Sequence, residues 1–340
     1  MISLSSVFWR EAWKYGERAL RYCNHDAGHA LAAVAVAAAA LGWDARLLDG
    51  LSHADLEALI GVPQTYPPPP VQLPDGPVRG KLPWIEPSTG LRSPYLPRRD
   101  EPCCGLLRPT ERADFAELYK DFTVREVVRK RRSAVDMDRV HVMERNTFYQ
   151  ILLHCLPSGE LGHGEEGEEI KKQGKQCALP FRVLTWDAEV HAALFVHRVA
   201  GLPKGLYFLV RNEDHFDALK CAMRPEFEWE RPDGCPDGLP LYRLARGDCQ
   251  ELAKQLSCHQ DIASDGCFSL GMVARFEPVL RKRVLDVSAL VLETGALSIH
   301  EVLGIKDMEF QSLYHFTVGG PMVDKRIMSL PAYPGPGIDA

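Results

Sequence analysis

Thirteen of the 25 prolines in this chain fall between Pro63 and Pro109, and four of them are consecutive, Pro67 to Pro70. Proline fixes φ and removes a backbone donor, so such a stretch forms neither a regular helix nor a central strand. Polyproline-like extension is its natural state, which makes 62–110 an arm or linker and forces folded structure to either side of it. Tyr66, Trp84 and Tyr95 within it suggest that parts of the arm pack on a neighbour.

The N-terminal block, 1–61, reads as helical. A charged, aromatic-studded helix is expected from Glu11 to Tyr22, a second from about His25 to Gly42, and a third from about Ser52 to Leu59 with Ser52 as its cap. Ala30 to Leu41 is the longest apolar run, twelve residues. A membrane-spanning helix needs about 20, so the run is expected to be a buried helix that small side chains let a neighbour approach closely. Beyond the arm, 111–333 mixes elements. Helices are expected over Glu111–Lys120, Thr123–Lys130, Phe148–Leu156 and Ile262–Phe276, and strands over Ala192–Val196, Gly205–Val210 and Leu313–Val318. Gly, Glu and Lys dominate 158–176, expected to be a solvated, mobile insertion, and 334–340 is a Pro/Gly-rich tail. The mixture predicts an α+β or α/β class.

Forty Lys and Arg stand against 46 Asp and Glu, a formal charge of −6. That balance argues against sequence-independent nucleic-acid binding, which draws on a basic excess. Ten cysteines occur without any C-x-x-C pair to begin a zinc site. The N-terminal residues hold no h-region or cleavage site, so reduced thiols in the cytoplasm or an organelle stroma are expected.

Three motifs carry chemistry. Arg131-Arg132-Ser133 offers two guanidinium forks and a hydroxyl, the geometry that grips a phosphate, although cations at a helix C-terminus also serve simply to face water and the dipole. Lys325-Arg326, after Gly319-Gly320-Pro321, is a second basic pair that reads equally as turn surface; joint use with Arg131 and Arg132 requires tertiary proximity. His25 and His29 stand at i and i+4 with Asp26 between them, the spacing of a zinc-protease helix but without a third ligand in view. No P-loop or nucleophile elbow is present, so any enzymatic chemistry is expected to come from a cofactor, with no catalytic acid or base identifiable.

Taken together, several segments resemble nitroreductase-like proteins of the SagB/ThcOx type, in particular a double-length branch with two such units per chain. They are Phe8-Trp9-Arg10-Glu11-Ala12-Trp13-Lys14-Tyr15-Gly16-Glu17-Arg18-Ala19, Arg21-Tyr22-Cys23 through His25-Asp26 to Gly28-His29-Ala30, and Arg131-Arg132-Ser133-Ala134. Phe195-Val196-His197-Arg198-Val199 with Gly201-Leu202-Pro203 and Gly205-Leu206-Tyr207, Ser257-Cys258 with Gln260-Asp261-Ile262-Ala263, and Leu313-Tyr314-His315-Phe316-Thr317-Val318-Gly319-Gly320-Pro321 complete the set. The resemblance implies an α+β fold with a central, mostly antiparallel sheet flanked by helices. On that reading 1–61 is a helical remnant of a first unit and 111–333 is the second. It implies FMN as cofactor, its phosphate held by Arg131, Arg132 and Ser133 with Lys325 or Arg326. Hydride would pass from a donor such as NAD(P)H to an organic acceptor, or a small-molecule or peptide substrate would be dehydrogenated, as SagB-like relatives convert azolines to azoles. A homodimer is compatible with this reading; nucleic-acid and membrane partners are not expected. Relatives carry a Trp-Glu-Ala-Gly helix and a Gly-rich loop between the positions of Phe276 and His300, which the shorter Pro278–Gly295 stretch replaces here. The alternatives are a cofactor-less scaffold of the same fold and a zinc hydrolase built on His25 and His29.

Overall fold

A computed structural model describes residues 1–4, 6, 8–48, 53–61, 121, 123–131, 133–157, 179–184, 187–276, 298–306 and 309–322. The proline-rich arm, the expected helix Glu111–Lys120, the insertion 158–176, the shortened 277–297 stretch and the tail lie outside the described residues, as do Arg132, Lys325 and Arg326. The described residues fall into two compact units, 1–61 with 179–187 and 121–157 with 188–276 and 298–322.

In the first unit, helix α1 spans Phe8–Tyr15, a 3₁₀ turn follows over Gly16–Arg18, and α2 runs from Ala19 to Ala40. The helix break therefore falls at Gly16, whose φ of +57° suits glycine, and not near Tyr22 as expected. Tyr15 and Tyr22 pack across the break with ring centroids 4.5 Å apart. A third helix, α3, spans His53–Ile60. The expectation that Ala30–Leu41 is buried is corrected: Ala35 is 2% exposed, but Val36 is 39% and Leu41 64% exposed. Alanine is the strongest helix former whatever it touches, so the run reported helix and not burial. Arg182, in a 3₁₀ turn Phe181–Val183, reaches Asp44 at 3.3 Å, and the Leu47 N–H donates to the Val183 carbonyl at 3.2 Å.

The second unit is built on a five-stranded sheet in which every neighbouring pair is antiparallel. The strands are β1 (Val190–Val196), β2 (Gly205–Leu209), β3 (Leu241–Arg246), β4 (Phe268–Arg275) and β5 (Phe310–Val318), in the order β3-β2-β1-β4-β5. Its helices are α4 (Val124–Lys130), α5 (Arg145–His154), α6 (Phe216–Ala222), α7 (Gln250–Leu256), α8 (Asp261–Asp265) and α9 (Ile299–Leu303). This is an α+β unit with an antiparallel sheet, as expected.

The two-residue period of β1 sorts its side chains between two cores. Ala192, Leu194 and Val196 face α5, joining Phe148, Tyr149 and Leu152 with Tyr207, Leu209 and Phe268. Ala193 and Phe195 face the other way, joining Leu219 and Met223 near α6, Ala253 and Leu256 of α7, Ala263 of α8, and Ile299 and Leu303 of α9. Because both faces are covered, β1 and β2 read as continuous apolar runs.

The same double coverage explains a correction. Ile262–Phe276 is not one helix: α8 ends at Asp265, Gly266 and Cys267 intervene, and β4 begins at Phe268. A strand buried on both faces carries no alternation to separate it from a buried helix. Strand β3, alternating weakly within Leu241–Arg246, was not foreseen at all.

Phe148 has no exposed surface and meets Phe268 edge-to-face, centroids 5.1 Å apart at 82°. Phe148→Ala is expected to lower the unfolding free energy by about 3–5 kcal/mol, the range for emptying a buried aromatic site. Denaturant unfolding followed by circular dichroism measures it; a loss below about 1 kcal/mol would mean that α5 does not seal this face of the sheet.

Candidate functional site

The ends of β1, β4 and β5 meet where Val196 pairs with Phe268 and Phe268 with Val318. The segment following α4 and the segment following β5 come together at this end of the sheet. Met137 and Pro321 form an antiparallel bridge, the Asp138 N–H donates to the Gly320 carbonyl at 2.9 Å, and the Met322 N–H donates to the Asp136 carbonyl at 3.0 Å. Glycine makes the approach possible. A Cβ on Gly319 would stand 2.7 Å from the Gly266 Cα and 3.0 Å from the Cys267 nitrogen, and one on Gly320 would stand 2.6 Å from the His141 Cβ. Any larger residue at either position must push backbone or side chain away.

Helix α4 delivers the first basic segment. Thr123 and Glu126 form a capping box at its start, each side chain bonding the other's backbone N–H. The helix ends because Arg131 adopts an extended conformation (φ −60°, ψ 131°) while its N–H still donates to the Val127 carbonyl. Arg131 and Ser133 are both exposed. Arg132, Lys325 and Arg326 lie outside the described residues, but Met322, three residues before Lys325, is held beside Asp136, three residues after Ser133. Residues 136–138 and 320–322 are thus paired at one strand end.

The turn there is acidic as well as basic. Asp138 Oδ1 accepts the N–H groups of Val140 and His141 at 3.0 and 2.9 Å. Those bonds, His141 first and Val140 second, hold its carboxyl below the usual carboxylate range. Arg139, at φ 64°, turns its side chain onto Asp265 at 2.8 Å. Arg198 gathers the carbonyls that end α8, donating from one nitrogen to Asp265, to Gly266 at 2.9 Å and to Ser264 at 3.4 Å. A cation there answers the unsatisfied carbonyls of a helix C-terminus. Neither Arg139, Arg198 nor Asp138 was singled out from sequence as a contributor to this turn. Their relevance rests on a sequence separation of 126 residues between Arg139 and Asp265, which local pattern does not report.

His197 lies beneath this cluster, 3% exposed. The Ala263 carbonyl can only accept, so its 3.0 Å contact with Nε2 fixes the proton on that nitrogen. Nδ1 is then a buried acceptor with no hydrogen-bond partner among the described residues. Burial first, against the opposing pull of the Ala263 bond, pushes His197 down to about 4.

The other expectations fare differently. His25 is half-buried and His29 exposed on α2, and among the described residues no three His, Cys, Asp or Glu side chains gather to hold a metal ion. The seven described cysteines are free thiols. Burial pushes Cys155, Cys235, Cys249 and Cys267 upward, so these thiols stay protonated and weakly nucleophilic at neutral pH. Among the described residues no helix is long and apolar enough to cross a membrane.

The second unit is therefore an antiparallel α+β module in which residues 136–138 pair with 320–322 at the end of the sheet. No family model matches the chain, and no curated protein matches it. Among solved structures it is similar to a candidate nitroreductase from Anabaena variabilis, determined at 1.80 Å, with 15% identity and a TM-score of 0.33. The match covers 57% of this chain and 37% of that one.

A histidine that is neutral when folded but free to protonate when unfolded makes stability fall as pH falls. Between the unfolded value near 6.5 and the folded value of about 4, the unfolded state binds more protons, so acidification favours it. From pH 7 to pH 4.5 His197 is expected to cost roughly 2 kcal/mol of stability. His197→Gln retains a donor for the Ala263 carbonyl and removes the titration. Urea unfolding across this range should show a shallower decline in that variant; parallel profiles would place the acid sensitivity elsewhere.

Proposed function

We propose that this chain is a nitroreductase-like oxidoreductase that uses FMN, with the flavin phosphate held by Arg131, Arg132 and Ser133 and by Lys325 or Arg326. The observation that carries the reading is the pairing of 136–138 with 320–322. Chain length adds to it: at most about 3.6 Å per residue, Ser133 lies within about 11 Å of Asp136, and Lys325 is three residues beyond Met322 in sequence. A phosphate monoester carries a charge near −2 and has several acceptor oxygens, which suit convergent guanidinium and ammonium donors.

Of the neighbouring carboxylates, Asp265 is paired with Arg139, and Asp138 keeps its charge while its Oδ1 accepts two backbone N–H groups. When bound, FMN supplies hydride and electron transfer between a donor such as NAD(P)H and an organic acceptor, or the dehydrogenation of a substrate. The protein's part in this proposal is to grip and orient the phosphate. The finer reading is a SagB-type, double-unit chain with 1–61 as the remnant of the first unit, 62–110 as the arm and 111–333 as the second unit, taking a small-molecule or peptide substrate in the cytoplasm.

The test is the visible absorption spectrum of purified protein incubated with FMN and desalted. Retained flavin near one per second unit is the expected result. In the double variant Arg131→Ala, Arg132→Ala, losing two charge-assisted contacts of about 1.5–3 kcal/mol each should weaken FMN binding 100-fold or more while the circular dichroism spectrum is unchanged. A colourless native protein would favour a cofactor-less scaffold. Unchanged flavin in the double variant would put the phosphate elsewhere.

A further inference from the structure

At the opposite end of β1 from Val196, a pair of imidazoles is sealed in the core. His191 on β1 and His215, the last residue of a 3₁₀ turn Glu213–His215, are bonded Nε2 to Nδ1 at 3.1 Å. His191 has no exposed surface and His215 has 5%.

A backbone donor decides the tautomer of His191. The Arg211 backbone N–H donates to His191 Nδ1 at 3.2 Å, so that nitrogen is an acceptor and neutral His191 carries its proton on Nε2. This proton points at His215 Nδ1, which must accept it. That leaves the proton of neutral His215 on Nε2, 3.7 Å from Glu189 Oε2, where the donors Arg275 Nη1 and Asn212 Nδ2 also stand at 3.3 and 3.4 Å, so the neutral pair already meets more N–H groups than it can accept. The nitrogens left without hydrogen, Nδ1 of each ring, each already face an N–H donor. One more proton on the pair must therefore break either the Arg211 bond or the bond between the rings.

The surroundings do not welcome that proton. The Arg211 guanidinium, donating to the Cys155 and Val190 carbonyls at 2.6 and 2.8 Å, faces the pair from the end of β2. Arg275 at the end of β4 brings Nη1 to 3.3 Å from His215 Nε2. Glu189 before β1 and Glu309 before β5, the latter 3.4 Å from Arg275 Nε, balance these two arginines and leave no net negative charge for a third cation. The remaining faces do not titrate: the rings of Phe208 and Phe310 have centroids 6.1 and 6.3 Å from His191, and Asn212 Nδ2 lies 3.4 Å from His215 Nε2. Burial, then His215, Arg211 and Arg275, push His191 down to about 3.

We propose that the His191–His215 pair is an acid-sensitive latch: neutral, it ties the turn and helix of residues 211–222 to β1, and protonation opens that segment locally while the rest of the sheet stays folded. Of the segment's own side chains only His215 and Leu219 are buried, while Phe216, Ala218 and Ala222 pack partly exposed against the same core, Phe216 on Trp229 and Tyr242. An opened pair titrates as ordinary histidine near 6.5, so lowering the pH from 7.5 to 5 should raise the opening equilibrium about 30-fold for each proton taken up.

Amide hydrogen exchange of the full chain, read by mass spectrometry and corrected for intrinsic rates, tests this. Protection across 211–222 should fall about 30-fold or more between pH 7.5 and pH 5, with β4 protection changing much less. In His191→Gln with His215→Gln, which keeps a donor and an acceptor at each position but cannot titrate, the change should shrink to under about 3-fold. Equal loss across β4 and 211–222, no loss in the native chain, or an undiminished loss in the double variant would each overturn the latch. Should the double variant not fold, the first two outcomes still decide on the native chain.

Discussion

Strand β1 is hydrogen-bonded to β2 on one side and β4 on the other, and helices cover both of its faces. Everything else in the second unit is placed by that arrangement. A two-residue period sends Leu194 to α5 and Phe195 to the layer of α6 to α9, so one strand seeds two cores. Burying a large apolar side chain contributes about 1.5–3 kcal/mol, and both cores draw on several such residues from β1 and its neighbours. A one-residue slip in register would exchange the two sets and leave each packed against the wrong helices.

The ends of β1 then do different things. At Val196 the strand runs into His197 and Arg198, whose polar atoms are used on the backbone of 263–266, and the close approach of Gly319 and Gly320 lets two distant segments pair. At His191 the strand meets a closed network of imidazoles, arginines and carboxylates. Burial there sets the protonation state of His191: without water to solvate a cation, the ring stays neutral and its tautomer is dictated by a backbone donor.

Much of the site's chemistry was legible as residue types, little of it as geometry. The helix before Arg131 was readable from the run 123–130, and the end of β5 from Gly319-Gly320-Pro321, whereas the Thr123–Glu126 capping box was not read. That Met137 pairs with Pro321 was not, because the two stand 184 positions apart in sequence and no local signal crosses that distance. Arg198 and Asp265 were illegible for the same reason. β4 was misread as helix because a strand with two buried faces loses the alternation that identifies strands, and the alanine run was misread as buried because helix propensity and burial favour the same residue.

The amino-acid sequence by itself determined the local decisions: where proline forbids regular structure, where glycine at positive φ stops a helix, and which apolar runs must leave water. Those follow from sterics and solvation within a few residues. Only the tertiary structure decided which runs became paired strands, that the segment holding Arg131 and Ser133 meets the end of β5, and that two histidines 24 positions apart share one proton line. Each of these depends on distances between segments far apart in the chain, set by how the two cores close over the sheet.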